Sequence, residues 1–144
     1  MEGRISIITL GVKDLDRSIK FYKEGLGLDT SAEYGAEIAF FKTAGTCLAL
    51  YPLDKLAEEF PDRAVSIGNA QGSPVTLAHN TRSKDEVEQV LAQAEAAGGT
   101  IIKPAQLVFW GGFSGYFQDP DGHLWEVAYA DSWQFNDDGS LVIE

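Results

Sequence analysis

Cysteine occurs once in the 144 residues. One thiol makes neither an internal disulfide nor a cysteine-rich zinc site, so a reducing, cytoplasmic compartment is expected. Basic residues are scarce as well: 11 Lys and Arg stand singly against 22 Asp and Glu, for a formal net charge of −11. Nucleic-acid binding needs clustered Lys and Arg, so it is not expected. No apolar run approaches the roughly 18–20 residues that span a bilayer, so no membrane role is expected either. The opening Met-Glu-Gly-Arg is not a basic region followed by an apolar stretch, and no secretory signal is expected. Phosphate-cradling GxxxxGK and GxGxxG loops are missing, and so is a GxSxG nucleophile elbow.

What is present suffices for a packed core. The chain is 44% hydrophobic, too apolar for a disordered polypeptide. Its length suits one domain or two small fused modules.

The pattern of elements runs twice. Residues 5–12 (ISIITLGV) are β-rich and short, a strand. Asp14 caps a helix whose face is Leu15, Ser18, Ile19 and Tyr22, and Gly25 and Gly27 stop it. Residues 36–43 and 46–51 form strands around a turn at Ala44-Gly45. Leu53 to Phe60 supports one or two helical turns, and Gly68, Asn69, Gln71, Gly72 and Ser73 form a loop, so 53–73 reads as a linker.

The second half starts with a strand at 75–81. Ser83 and Glu86 make a capping box, and Val87, Val90, Leu91 and Ala94 make a helical face that ends at Gly98-Gly99. Ile101 and Ile102 form a short strand before Pro104. Strands 114–118 and 123–129 flank Asp119-Pro120-Asp121-Gly122, whose order fits a type I turn. A duplicated α+β module is the simplest account. Each helix covers one face of its sheet and leaves the other face free to curl round a cavity.

Two segments carry a family resemblance: TLGVKDLDRSIKFYKEGLGL (Thr9 to Leu28) and GYFQDPDGHLWEV (Gly115 to Val127). They resemble the two ends of a vicinal oxygen chelate domain, the glyoxalase, bleomycin-resistance and extradiol-dioxygenase superfamily. The resemblance implies an α+β fold of two tandem βαβββ modules forming a cupped, partly open mixed sheet around a cavity. It gives a single domain over 1–144, with module one at about 5–52, the linker at 53–73, module two at about 74–130 and a C-terminal tail at 131–144. It also implies a homodimer.

Metal-bearing members hold a divalent ion with four inward side chains on the first and last strands of each module. Carried over, those positions are Ile7, Ala49, Thr76 and Glu126, with Ala49 placed by aligning Gly45 on Gly122. A transition-metal site needs three or four imidazole, carboxylate or thiolate donors. Ile7 and Ala49 offer none, and Thr76 offers a weak neutral hydroxyl. No metal is therefore expected, nor the usual glyoxalase or dioxygenase chemistry, which needs that ion.

Glu126 remains as the one candidate catalytic group, facing the cavity if Trp125 and Val127 face the helix. There it suits general-base work or pairing with a cationic ligand, which the negative field also favours. Trp110-Gly111-Gly112-Phe113 is expected to lay an aromatic wall at the pocket edge, and Thr9, Ile7, Ala49 and Thr76 to line the pocket. Tyr116, Phe117 and Trp125 are expected to pack, and one of Phe40 and Phe41 to face the cavity. His79 and His123 read as structural or solvated, with His123 exposed. Cys47 reads as an inert buried thiol, and the geometry of their turn accounts for Asp119 and Asp121. Trp133 and Phe135 are suited to close the cavity or pack on a partner subunit. The expected function is binding of a small organic molecule in an aromatic-walled cavity without a metal. The alternative is a metal-assisted glyoxalase-like lyase or dioxygenase-type enzyme using Glu126.

Overall fold

The computed structural model describes residues 1–62 and 75–143; the loop expected at Gly68 to Ser73 lies outside them. The elements are β1 (Ile7–Val12), α1 (Leu15–Ile19) continued by a π-helical turn (Lys20–Gly25), β2 (Ala39–Phe41), β3 (Cys47–Pro52), α2 (Leu53–Glu58), β4 (Thr76–Asn80), α3 (Lys84–Ala96), β5 (Thr100–Leu107), β6 (Phe113–Gln118) and β7 (Leu124–Tyr129). They build two mixed sheets, ordered β1-β3-β2 and β4-β7-β6-β5. The fold is α+β, and the sheets do not close into a barrel.

The duplication holds at the level of register. β1 runs parallel to β3, and β4 parallel to β7, with antiparallel pairs filling the rest. β3 and β7 start and end at the same offset that aligns Gly45 on Gly122. A lone bridge between Asp29 and Lys42 stands in module one where β5 stands in module two. Across the sheets, Thr9–Ala49–Phe40 is the counterpart of Ala78–Glu126–Tyr116.

Helix starts follow the capping chemistry of the sequence. The Asp14 carboxylate accepts from the Arg17 N–H at 3.0 Å, and the Ser83 hydroxyl accepts from the Glu86 N–H at 3.1 Å. The first helix departs from a plain α-helix after Ile19. Its π-turn admits an extra residue per turn, so both Phe21 and Tyr22 are buried rather than Tyr22 alone. The turn ends at Gly25, where an added Cβ would overlap the Ala97 methyl.

One core serves both modules. Leu10, Val12, Leu48, Leu50 and Phe41 from the first sheet join Val87, Leu91, Phe117 and Val127 from the second module. Phe21 meets Phe117 at 6.4 Å, and Tyr22 meets Trp125 at 6.1 Å between ring centroids. The helices and the inner sheet faces share this core. The outer faces therefore point away from it.

Two features correct the sequence reading. The strand at Ile101 and Ile102 does not stop before Pro104 but runs through it to Leu107. β5 is an edge strand with register shifts on both sides of the proline, so the missing N–H costs no ladder bond. The Asp119–Gly122 turn also does more than reverse the chain. Asp121, fully buried at its side chain, accepts from the Lys13 N–H (3.0 Å), the Arg17 guanidinium (2.9 Å) and the Ser18 hydroxyl (3.1 Å). Asp119 accepts from the Tyr22 hydroxyl at 2.7 Å and from the N–H groups of Asp121 and His123. His123 is half-buried, not exposed, with Nε2 2.7 Å from the Gly11 carbonyl.

Asp121→Ala is expected to cost about 2–3 kcal/mol in urea unfolding, because charged hydrogen bonds at a helix start are lost together. Asp121→Asn, which keeps one acceptor oxygen, is expected to cost less. Burial is the main cause that raises the Asp119 pKa, opposed in part by its bond from Tyr22. A raised carboxyl pKa contributes stability that is present at low pH and lost as pH rises through the folded pKa. The stability of Asp119→Asn relative to the parent protein is thus expected to increase from pH 4 to pH 7. A flat or falling difference would contradict a desolvated carboxyl.

Candidate functional site

The residues singled out from sequence fall on three surfaces. Ile7, Thr9 and Ala49 stand on the outer face of the first sheet. Ile7 and Thr9 are exposed there, and Ala49 is buried between Thr9 and Phe40. Phe40 is exposed on that same face and Phe41 is buried in the core, as adjacent strand residues require. Glu126 stands half-buried on the outer face of the second sheet, with Thr76 further along the same face. Val127 on the inner face is fully buried, which turns Glu126 outward.

Glu126 has Ala78 on one side and Tyr116 on the other. Tyr116 stands beside Glu126 across the strand pair; burial first, and the interaction of its hydroxyl with the Glu126 carboxylate second, raise the Tyr116 pKa. Lys103 stands beyond Tyr116 on β5. The donor set at the four carried-over positions is one carboxylate, one alcohol and two hydrocarbons. Among the described residues no three His, Cys, Asp or Glu side chains gather as metal ligands do. Such a set does not fit a transition-metal ion.

The Trp110 loop is built by its glycines. Gly111 has φ +93°, and a Cβ on Gly112 would overlap the Trp110 ring. Trp110 stacks on Trp133 of the tail, with centroids 5.9 Å apart. Phe113 belongs to the inner side of β6, opposite to Glu126, and packs against the core beneath Lys84.

A further surface lies apart from these three. A cleft of about 790 Å³ opens between the modules and is lined by Leu28, Leu48, Leu77, Phe117, Trp125 and Phe135. Thr76 reaches it; Ile7, Thr9, Ala49, Trp110, Phe113 and Glu126 are not among its lining. Phe117 and Trp125 are stacked with centroids 6.0 Å apart, so both pack in the sheet and present a wall to the cleft. Trp125 Nε1 donates to the Tyr22 hydroxyl at 3.0 Å, which fixes the indole. Cys47 is only half-buried and lines this cleft, because it sits at the start of β3 where the core ends. Polar groups enter from β4 and α3: His79, Arg82, Glu86 and Gln93. The alternating pattern of β4 put His79 on the side opposite to Glu126, and that was the one legible signal for this surface.

Burial lowers the His79 pKa, and Arg82 adds to that effect while Glu86 opposes it. The His79 ring is expected to titrate with a midpoint below 6.5 in a proton NMR titration. Arg82→Ala is expected to move the midpoint up, and Glu86→Gln to move it down.

The sequence matches the family model described as the Glyoxalase/Bleomycin resistance protein/Dioxygenase superfamily over residues 4–127. A glyoxalase-related enzyme from Fulvimarina pelagi superposes with a TM-score of 0.87 at 36% identity, covering 98% of each chain. Glutathione transferase FosA of Serratia marcescens is 31% identical over 120 residues, which cover 83% of this chain and 76% of that protein. The fosfomycin resistance protein FosX of Listeria monocytogenes superposes with a TM-score of 0.68 at 26% identity, covering 92% of this chain and 97% of that one. With this match over most of its length and the doubled sheet topology, the chain belongs to the glyoxalase, bleomycin-resistance and dioxygenase superfamily.

Proposed function

We propose that the protein binds a small organic molecule at the outer sheet faces, without a resident transition metal, and that a second copy completes the site. The observation that carries this reading is the row Ala78–Glu126–Tyr116. It presents one carboxylate between an alanine and a tyrosine. A group of this kind accepts hydrogen bonds from a ligand or pairs with its cationic centre.

The matching row Thr9–Ala49–Phe40 lies on the other sheet. Both outer faces turn away from the common core, so one chain does not set them opposite each other. A homodimer that brings the two rows together encloses a hollow with Ile7, Thr9 and Phe40 on one wall and Thr76, Tyr116 and Glu126 on the other. Ile7 and Phe40 are about half exposed in the single chain, which leaves apolar surface for such a pairing.

The likeness to a glutathione transferase favours a second reading, an enzyme. In that reading Glu126 takes a proton from the substrate, and Tyr116 holds the carboxylate in place.

Protein stripped with a chelator and then dialysed against Zn²⁺, Ni²⁺, Mn²⁺ or Fe²⁺ is expected to retain far less than one ion per chain by elemental analysis. One tightly held ion per site, lost in Glu126→Gln, would overturn the metal-free reading. Sedimentation is expected to show a dimer, and a monomer at all concentrations would overturn the shared site. A Glu126→Gln variant with unchanged affinity for a ligand found by thermal-shift screening would remove Glu126 from it. Turnover of a thiol and an electrophile that Glu126→Gln abolishes would establish the enzyme.

A further inference from the structure

The cleft between the modules carries chemistry that the outer faces do not share. Its walls are apolar: Leu28 and Leu48 from module one, Leu77, Phe117 and Trp125 from module two, and Phe135 from the tail. At about 790 Å³ it falls within the range of roughly 300–1,000 Å³ typical of small-molecule sites. The indole of Trp125 and the ring of Phe117 are held in place by stacking and by the Tyr22 hydroxyl, so one wall is rigid.

Its polar side carries one guanidinium, Arg82, and one carboxylate, Glu86, beside His79 and Gln93. Arg82 stands just before the Ser83 cap of α3. Its guanidinium lies 4.7 Å above the Phe135 ring, and among the described residues it makes no ion pair, whereas Arg4 and Arg17 each hold a carboxylate. The neighbouring acid, Glu86, turns its carboxylate to the Arg82 backbone N–H at 2.6 Å and not to the Arg82 guanidinium. His79 is an exposed residue at the cleft; desolvation of its ring lowers its pKa, which favours the neutral imidazole that can donate or accept. A guanidinium set against an aromatic ring at an apolar cleft is suited to an oxyanion, because its planar donors pair with two oxygens at once.

We infer that this cleft is a second binding site, which takes a small organic anion with its aromatic or branched apolar body against Phe117 and Trp125 and its oxyanion head on Arg82. The site is independent of Glu126, which lies on the opposite face of β7. Cys47 lies at the cleft wall with its thiol turned to the Leu48 carbonyl at 3.6 Å, and it takes no part in holding the anion. Phe135 forms a side wall, carried on a tail hairpin closed by the Phe135–Leu141 bridge.

The test uses two fluorescent probes with the same apolar body, anilinonaphthalene sulfonate, which carries an anionic head, and phenylnaphthylamine, which carries none. The sulfonate is expected to bind about tenfold or more tightly than the neutral probe, the size of one charge-assisted contact. Arg82→Gln is expected to remove that margin and leave the neutral probe within about twofold, with Arg82→Lys in between. Lys103→Gln, which removes a positive charge on the outer face, is expected to change neither. Both probes are expected to shift the His79 ring resonances and leave those of His123 in place. Circular dichroism confirms the folding of each variant. Equal affinity of the two probes, an equal loss in Lys103→Gln, or an unmoved His79 would each overturn the inference. None of these results bears on the outer-face reading, which the Glu126→Gln experiments test separately.

Discussion

The contact on which the architecture depends is the hold of the Asp119–Gly122 turn on the start of the first helix. Asp121 brings a buried negative charge to the Lys13 N–H just ahead of the helix, to the Ser18 hydroxyl and to the Arg17 guanidinium, all from module one. The helix start carries partial positive charge, so the carboxylate is neutralised by its surroundings. Asp119, a turn residue apart, does the same for Tyr22 and for its own turn. No buried side-chain polar atom among the described residues lacks a partner. Two modules with separate sheets are thus held in one orientation, and that orientation decides where every face and cleft lies.

Tyr22 extends this hold into the second sheet. Its hydroxyl gives its proton to Asp119 and accepts one from Trp125. Burial pushes the tyrosine pKa well up, so the phenol stays protonated and keeps both roles. Trp125 is thereby fixed on the inner side of β7, and strand alternation sends Glu126 to the outer side. The position of the one carboxylate of the outer face follows from a hydrogen bond made in the core of the neighbouring module.

Much of this was legible in the sequence. Local rules sufficed for the Asp14 and Ser83 caps, for the split of Phe40 and Phe41 between faces, and for the 77-residue alignment of Ala49 on Glu126. The missed features depend on partners far along the chain. Asp121 meets Arg17 across 104 residues, and His123 meets Gly11 across 112. A turn motif explains its own backbone and says nothing about what its carboxylates touch. The Trp110 ring is placed by Trp133 of the tail, a contact set by loop geometry that no periodicity encodes. Of the cleft with Arg82 only the side of His79 was legible, because the cleft exists only between modules and the pattern of each module describes that module alone.

The proline in β5 governs how these sheets can grow. A strand joining on that side would meet a position with no amide proton, beside a lysine and two local irregularities in the ladder. Accretion of further chains is therefore blocked at one rim of the second sheet and confined to β4. The second sheet is thereby left with one rim, not two, at which a further strand can be added.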